Sequence, residues 1–504
     1  MAGKRVRTRF APSPTGYLHI GGLRTALFNW FYAKTCNGDF LLRIEDTDRE
    51  RYVEDAMGDI INCLKWLGID YSEGPEIGGP KGPYFQSQRL DIYHKYINQL
   101  IEEKKAYHCY CSKDRLNQIR ESSKNKTGQA VYDRKCRYLT KEEESELKKE
   151  NPNPIVRFKM PEHEGEIIVN DYLRGEIRFS NETQDDFVIL KNDSFPTYHL
   201  ANIIDDHLME ISHVLRGEEW IPSLARHFEL YKAFGWNPPI FVHLPVILDP
   251  TGGKLSKRKT INLAGGEQQE IIVTVRDFIN KGYLKEALIN FLAFLGWGYD
   301  DKTEFMNVDE LCKNFDISKI GKSSPTFHFD KLDYYNGAYI RMKDNDELAK
   351  LCRTPMIKEG LLPENNCPVD LDAYFNAQIP LIRERLKFIE DAPKHLKFFY
   401  IDKIDFKDKN ELIPKKSDIE TSIKSLKLTI EVLDNLSDFT IEKIEIELRN
   451  KAKEEDIKIG QLFMPIRIAV TGSSISPGLF ETIFVLGKQR TLTRLNSALK
   501  FLKE

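Results

Sequence analysis

The chain predicts an α/β protein: a parallel sheet of the doubly wound kind, interrupted by an inserted α/β region and followed by an all-helical ending. Three observations carry this. The N-terminal part reads as strand, Gly-containing loop, helix and strand. A second α/β pattern begins near Phe195 and closes on the strand-like run Phe241 to Leu248. Convincing strands are absent from roughly the last 170 residues, where apolar residues recur at helical spacing instead.

Each element follows from its residues. Val6 to Phe10 is a short alternating strand, and the loop APSPTGYLHIGG follows it. Apolar spacing predicts a helix over Ile20 to Ala33, a strand over Phe40 to Ile44 and a helix over Glu54 to Leu67. Between Gln86 and Glu150 the chain is helical and highly charged, with one loose polar stretch from Ser122 to Gln129. Short β-rich segments recur from Ile155 to Leu190. YHLANIIDDHL reads as a helix, and the Gly-Gly loop DPTGGKLSKRK ends this part. Past Thr260 helical spacing appears in Leu284 to Leu295, Leu381 to Ile389, Ile423 to Leu433 and Ile441 to Leu448. Asp402 to Asp418, charged and punctuated by proline, reads as an exposed loop. The expected boundaries are 1–85 and 196–260 for the two halves of the sheet domain, 86–195 for the insertion, and 261–330 and 331–504 for two helical regions.

Composition narrows the function classes. Hydrophobic residues make up 41% and charged residues 30%, which suits a soluble globular chain rather than a disordered one. The densest apolar run, Ala287 to Trp297, is too short for a membrane span, and MAGKRVRTRF has no apolar core behind its basic residues. Eight cysteines among 504 residues are too sparse for a disulfide scaffold, so a cytoplasmic protein with reduced thiols is expected. The net charge of −3 excludes a globally basic coat for nucleic acid but not a local basic face.

Two segments look made for phosphate. Pro12 to Gly22 is a Gly-flanked loop that enters a helix directly after a strand. Free N–H groups at a helix N-terminus attract anions, and missing side chains allow close approach. His19 sits at that terminus. The second segment, GGKLSKRK, sets Lys254, Lys257, Arg258 and Lys259 on a glycine-loosened loop, as a cationic clamp on a polyphosphate leaving group would.

Together these segments carry a resemblance. HIGG resembles the HIGH signature of class I aminoacyl-tRNA synthetases, and KLSKR, 235 residues later, resembles KMSKS. RFAPSPTGYLHIGGLRTALFN, LLRIEDTDRERY, GPYFQSQR, PTYHLANIIDDHLM, VLRGEEW and KLSKRK are each similar to blocks of glutamyl-tRNA synthetases, in the same order. C-terminal MPIRIAVTGSSISPGLFETIFVLGK extends the similarity. The chain departs from the signatures at Gly22, Leu255 and Arg258, changes usual in that family.

The resemblance implies ATP-dependent activation of L-glutamate to glutamyl-adenylate and its transfer to the terminal ribose of tRNA(Glu), with magnesium accompanying ATP. It implies that His19, Lys254 and Lys257 are catalytic. With Gly21, Gly22, Leu255, Ser256 and Arg258 they would hold ATP. Arg9, Ala11, Ser13, Glu45, Tyr198, Asn202 and Arg216 would form the glutamate pocket. Arginine suits such a pocket, because its fork meets a carboxylate with charge-assisted bonds but meets an amide N–H₂ donor to donor. Glu45 is the natural partner of the substrate ammonium.

Cys109 and Cys111 form C-x-C, with Cys136 after 24 further residues, and thiolates are the preferred structural ligands of zinc. By resemblance to bacterial members, which carry a tyrosine four residues before the last cysteine, Tyr132 is the expected fourth ligand. His108 is the other candidate. The resemblance also assigns 86–195 to the tRNA acceptor end, 261–330 to its stem and 331–504 to the anticodon, since all-helical character there marks the bacterial type. Arg383, Arg385 and Arg467 are candidate anticodon contacts. Charging of tRNA(Gln) as well as tRNA(Glu) stays open, and a monomer with no membrane partner is expected. A truncated relative that glutamylates a tRNA base lacks the helical ending. A silent tRNA-binding scaffold is opposed by the intact His19, Lys257, Arg9 and Arg216.

Overall fold

The structure is a computed structural model that describes residues 5–122, 132–255, 259–262, 268–365, 367–415 and 417–504. Two compact units form, Met1–Asn280 with Leu288–Phe329, and Lys281–Ala287 with Asp330–Glu504.

The first unit opens with β1 (Arg7–Phe10), α1 (Ile20–Thr35), β2 (Asp39–Leu42) and α2 (Ala56–Leu67). β1 and β2 pair in parallel, Arg7 beside Asp39 and Phe10 beside Leu42. Their junction requires a glycine. A Cβ at Gly38 would lie 2.2 Å from the Val6 carbonyl oxygen, which accepts the next N–H, that of Asp39, at 2.8 Å. α1 buries Leu23, Ala26, Leu27, Phe28, Trp30 and Phe31, so apolar side chains surround it and it runs through the core.

Next come α3 (Leu90–Glu102), β3 (Ala106–Cys109), α4 (Lys113–Ser122), α5 (Lys141–Glu150) and β4 (Ile155–Phe158). β5 (Glu166–Asp171), β6 (Gly175–Ser180) and β7 (Val188–Leu190) follow. β3, β4 and β7 make an antiparallel sheet of their own. β5 and β6 do not stay in the insertion where 86–195 places them. Asp171 of β5 pairs in parallel with Phe241 of a later strand, so this hairpin extends the parallel sheet.

The second half is α6 (Tyr198–Leu208), β8 (His213–Gly217), α7 (Leu224–Phe234) and β9 (Ile240–Leu244). β8 and β9 are parallel in register from His213–Ile240 to Gly217–Leu244. β9 stops short of the expected Leu248 because Pro245 has no N–H to donate to a ladder. β1 lies beside β8: the Ser212 N–H donates to the Arg7 carbonyl at 3.0 Å, and the Arg7 N–H to Ser212 Oγ at 2.8 Å. The carboxyl ends of β1 and β8 therefore sit together at the point where the strand order reverses, where ligands of open α/β sheets bind. Past the loop, Lys259–Asn262 and Gln268–Ile271 pair as an antiparallel hairpin in a stretch expected to be helical.

The second unit is helical throughout its described residues. Ile419–Asn435, Ile459–Thr471 and Lys488–Lys503 pack on one another through Leu426, Leu433, Leu462, Ile466, Leu495 and Leu502, all buried. The 402–418 stretch is not wholly solvent-borne, since Leu412 ends a short turn of helix with its side chain fully buried. No helix among the described residues is long and apolar enough to cross a membrane.

Candidate functional site

A cavity of about 350 Å³ opens between the start of α1 and the carboxyl ends of β8 and β9. His19, Gly21, Gly22, Arg24, Gly217, Glu219, Lys254 and Leu255 are among its lining residues. His19 is the N-cap of α1 and its Nδ1 accepts the Gly21 N–H at 3.1 Å. Its Nε2 is buried with no hydrogen-bond partner among the described residues. Burial, with Lys254 nearby, lowers the His19 pKa and holds the ring neutral. A neutral ring with one unpaired nitrogen, at a helix N-terminus, can donate to an anionic ligand.

The basic loop is shaped by Asp249. Its Oδ1 accepts the Thr251 N–H at 2.8 Å and the Gly253 N–H at 3.2 Å, and its own N–H reaches the Gly253 carbonyl at 2.7 Å. Leu255 is buried, with its N–H on the Ile247 carbonyl at 2.8 Å. Lys254, more than half exposed, is 3.5 Å from Glu219. The expected ATP residues Ser256, Lys257 and Arg258 lie outside the described residues.

Arg24 is a lining residue that no sequence pattern singles out. It is buried, donates to the Pro245 carbonyl and to the Leu295 carbonyl at 3.3 Å, and burial pushes its pKa down to about 10. It ties the helix that carries His19 to the segment that leads into the basic loop.

Of the expected glutamate residues, Arg9, Glu45, Asn202 and Tyr198 gather around two buried arginines, Arg43 and the expected Arg216. Arg43, fully buried, sits among three carboxylates: Glu45 Oε1 at 3.0 Å, Asp206 Oδ1 at 2.8 Å and Asp205 Oδ2 at 3.7 Å. Burial opposes its charge, yet Asp206, Glu45 and Asp205 hold its pKa well above the usual value. Arg9 donates from Nε to the same Asp206 oxygen at 3.1 Å. Asp205 is further held by Arg89 at 2.7 Å and by the Tyr93 hydroxyl at 2.8 Å. Glu45 Oε1 also accepts from Asn202 Nδ2 at 3.1 Å. Burial raises the Glu45 pKa and Arg43 opposes the rise.

Arg216 is the second arginine. Its Nε donates to His243 Nε2 at 3.0 Å. Nη1 and Nη2 both reach His227 Nδ1, at 3.1 and 3.2 Å, and Nη1 is 3.5 Å from the Tyr198 hydroxyl. Among the described residues no carboxylate pairs with it. Tyr198 stacks near Trp220, ring centroids 4.3 Å apart, and burial pushes its hydroxyl up to about 12. Ala11 is half-buried just beyond β1. Ser13 is exposed, its carbonyl accepting from the Thr15 N–H.

Sequence reasoning missed Arg24, Arg43, Asp205, Asp206, His227 and His243. The first four stand inside the blocks that carry the resemblance, but their partners are distant in sequence and local spacing gives no sign of them.

The three expected cysteines come together. The sulfurs of Cys109, Cys111 and Cys136 lie within 4.8 Å of one another, and Cys111 and Cys136 are 3.5 Å apart. Zinc–sulfur bonds of about 2.3 Å in a tetrahedron set sulfurs about 3.8 Å apart, so the cluster fits such an ion. The Tyr132 oxygen is 3.3 Å from Cys109 Sγ and 3.5 Å from Cys111 Sγ. Hydrogen bonds from Cys111 and Cys136 hold the Cys109 thiol far below its usual range. Arg157 lies over the Tyr132 ring at 3.8 Å, where its charge offsets thiolate charge. His108, the other candidate ligand, is 3.1 Å from Glu144 through Nδ1.

In the helical unit the three candidate arginines differ. Arg385 is exposed. Arg383 donates to Asn345 Oδ1, and its Nε is buried without a partner among the described residues. Arg467 is half-buried, with Nη1 on Ser476 Oγ at 2.6 Å and on the Ser476 and Pro477 carbonyls at 3.2 and 2.7 Å.

Comparison with known proteins agrees with this geometry. Residues 5–334 match a family described as tRNA synthetases class I (E and Q), catalytic domain, and residues 347–499 match an anticodon binding domain. A glutamate–tRNA ligase of Borrelia recurrentis is 46% identical over 500 residues, covering 99% of this chain and 96% of that one. A glutamate–tRNA ligase of Dehalococcoides mccartyi is 44% identical, covering 99% and 98%. The crystal structure of a glutamate tRNA ligase from Elizabethkingia meningosepticum, in complex with its amino acid, superposes with a TM-score of 0.84 at 36% identity, covering 99% of this chain and 100% of that one.

Proposed function

This chain belongs to the class I tRNA synthetases of the glutamate and glutamine group, and from that premise we propose how its residues divide the work of charging tRNA. The protein is a glutamate–tRNA ligase. A carboxylate oxygen of glutamate attacks the α-phosphate of ATP, the bond to pyrophosphate breaks, and glutamyl-adenylate results. A hydroxyl of the terminal ribose of tRNA then attacks the activated carbonyl and AMP leaves. No enzyme nucleophile is required, so the work is positioning and charge stabilisation.

His19 and the backbone at Gly21 and Gly22 hold ATP at the start of α1. Lys254 and Lys257 neutralise charge on the departing pyrophosphate, and Leu255, Ser256 and Arg258 are assigned to ATP with them. The Glu45 carboxylate faces the substrate ammonium, and since Arg43 and Asn202 already occupy Oε1, the ammonium takes Oε2. Arg9, with Ala11, Ser13, Tyr198 and Asn202, encloses the substrate. Arg216 receives the γ-carboxylate. The observation that carries this assignment is a buried arginine that, among the described residues, is held only by neutral acceptors, beside the His19 cavity. With five N–H groups, three directed at histidines and one of Nη1 toward the Tyr198 hydroxyl at 3.5 Å, it keeps one on Nη2 for a ligand.

Cys109, Cys111, Cys136 and Tyr132 would hold zinc, which would brace the β3–β4–β7 sheet. Magnesium would accompany ATP, bound mainly by its phosphates. The helical unit carries the anticodon surface, with Arg385 its best-exposed candidate. The setting expected is the cytoplasm, with the chain acting as a monomer.

Attachment of labelled glutamate to purified tRNA(Glu) and tRNA(Gln) tests the reading. Charging of tRNA(Glu) alone marks a discriminating enzyme, and charging of both marks a relaxed anticodon surface. Lys257→Ala is expected to slow adenylate formation by several orders of magnitude while tRNA binding persists. Near-normal activation in that variant removes Lys257 from the mechanism.

A further inference from the structure

Five polar side chains form a hydrogen-bonded chain through the amino-acid pocket. Asp171 Oδ2 accepts the backbone N–H of His243 at 3.0 Å and lies 2.7 Å from His243 Nδ1. Asp171 Oδ1 is occupied by the N–H groups of Leu173 and Arg174. A carboxylate at that distance takes the Nδ1 proton as a hydrogen bond, which leaves His243 Nε2 as an acceptor. It receives the Nε–H of Arg216 at 3.0 Å. On the other side, both terminal nitrogens of Arg216 donate to His227 Nδ1, so the proton of His227 sits on Nε2. That nitrogen is 3.0 Å from His199 Nδ1, which accepts it.

Both tautomers are therefore fixed, and both rings present a lone pair to the guanidinium. Burial lowers the pKa of His243 and pushes that of His227 far below its usual value, so neither carries charge near neutrality. The contrast with Arg43 is direct. Arg43 has three carboxylates around it and needs no counter-charge from a ligand. Arg216 is also buried and has two imidazoles and a phenol. An imidazole can orient a guanidinium but cannot neutralise it, so the missing negative charge must come from what binds.

We propose that His243, set by Asp171, and His227, set by His199, are specificity-determining positioning residues that hold Arg216 aimed but un-neutralised, so that only an amino acid with an anionic side chain completes the pocket. The proposal rests on the assignment of Arg216 to the γ-carboxylate. A carboxylate in place of either histidine would satisfy Arg216 from within, and the pocket would lose its reason to prefer glutamate over glutamine. Leaving a buried charge unmatched can support discrimination of up to about 10⁴-fold.

The test uses the full-length enzyme with tRNA, and measures kcat/KM for glutamate and for glutamine together with KM for ATP. His227→Glu supplies the counter-charge and is expected to lower the glutamate-to-glutamine ratio at least about tenfold, whereas His227→Gln, which keeps a neutral acceptor, retains it. His243→Leu removes the acceptor and is expected to raise KM for glutamate about tenfold with KM for ATP unchanged, whereas His243→Gln largely restores it. A folded His227→Glu enzyme that keeps its preference overturns the proposal. So does a His243→Leu enzyme whose KM for ATP moves as much as that for glutamate, or whose KM for glutamate does not move. If His227→Glu does not fold, the two His243 variants decide alone. Arg216→Ala separates the levels: if it leaves KM for glutamate unchanged, the assignment of Arg216 itself fails, and if it raises KM while the histidine variants do nothing, only the positioning proposal fails.

Discussion

Arg43 and Arg216 are both buried, and on the assignment proposed above the difference between them separates a structural cation from one that meets the substrate. Arg43 is matched by Glu45, Asp205 and Asp206, and its removal would strand three carboxylates. Among the described residues Arg216 pairs with no carboxylate, Asp206 acting on it only from a distance and against Arg9, and its removal strands two neutral histidines. A protein can bear the cost of desolvating a charge in either way. The first way returns the cost as rigidity. The second defers it until a ligand arrives, and so converts it into selectivity.

This comparison can be broken by exchange. Arg216→Met is expected to raise the glutamate requirement by about 10²- to 10⁴-fold while leaving thermal stability unchanged or slightly higher. A lowered melting temperature with near-normal glutamate use would reverse the roles given to the two arginines. Arg43→Met is expected to cost about 3–5 kcal/mol of stability, read as an earlier denaturant midpoint, because carboxylates are left buried without a partner. If the midpoint does not move, those carboxylates find other partners and the pocket is not rigid.

Acid offers a subtler test. Burial pushes His199 down to about 4 and lowers His213, His227 and His243 as well. The unfolded chain protonates these rings near pH 6.5, so between there and pH 4 it binds more protons than the folded chain. Stability contributed by keeping them neutral is full above pH 6.5 and declines as pH falls through that window. A melting temperature flat from pH 7 to pH 4.5 would contradict the neutral chain around Arg216.

The smallest effect is expected in the helical unit, where the same logic separates Arg385 from Arg467. Arg385→Ala is expected to weaken tRNA binding a few-fold and to lessen its salt dependence by about one phosphate contact. Arg467→Ala is expected to lower the melting temperature instead, since Ser476 and Pro477 lose their donor. Filter-binding titrations across salt, set beside melting curves, separate the two.

These contrasts also explain what the sequence could show. The His19 loop was legible because its chemistry is local: strand, glycines and helix start lie within a dozen residues. The Cys109–Cys111 pair was legible for the same reason. Arg43 stands in the block LLRIEDTDRERY, yet nothing local reveals that Asp205 and Asp206, more than 160 residues on, complete it. Nothing in the local spacing singles out His227 and His243, which folding places on either side of Arg216. The pairing of 259–262 with 268–271 and that of β5 with β9 were missed because each depends on tertiary context rather than on spacing. The sequence offered Arg467 as an anticodon candidate but not its internal bonds, because the carbonyls that engage it carry no sequence signal.

The adjacency of β1 and β8 has a bearing on how the chain is made. Arg7 and Ser212 are hydrogen-bonded neighbours separated by 205 positions. At a synthesis rate of about 5–20 residues per second, β1 leaves the ribosome roughly 10–40 s before its partner exists. For that interval one edge of β1 is an unpaired strand with apolar neighbours, open to chance pairing with other chains. Long-range closure of this kind is slow in refolding as well. The nascent chain therefore has no His19 cavity until the chain as far as Leu255 has emerged, and its early life depends on whatever shields that edge in the meantime.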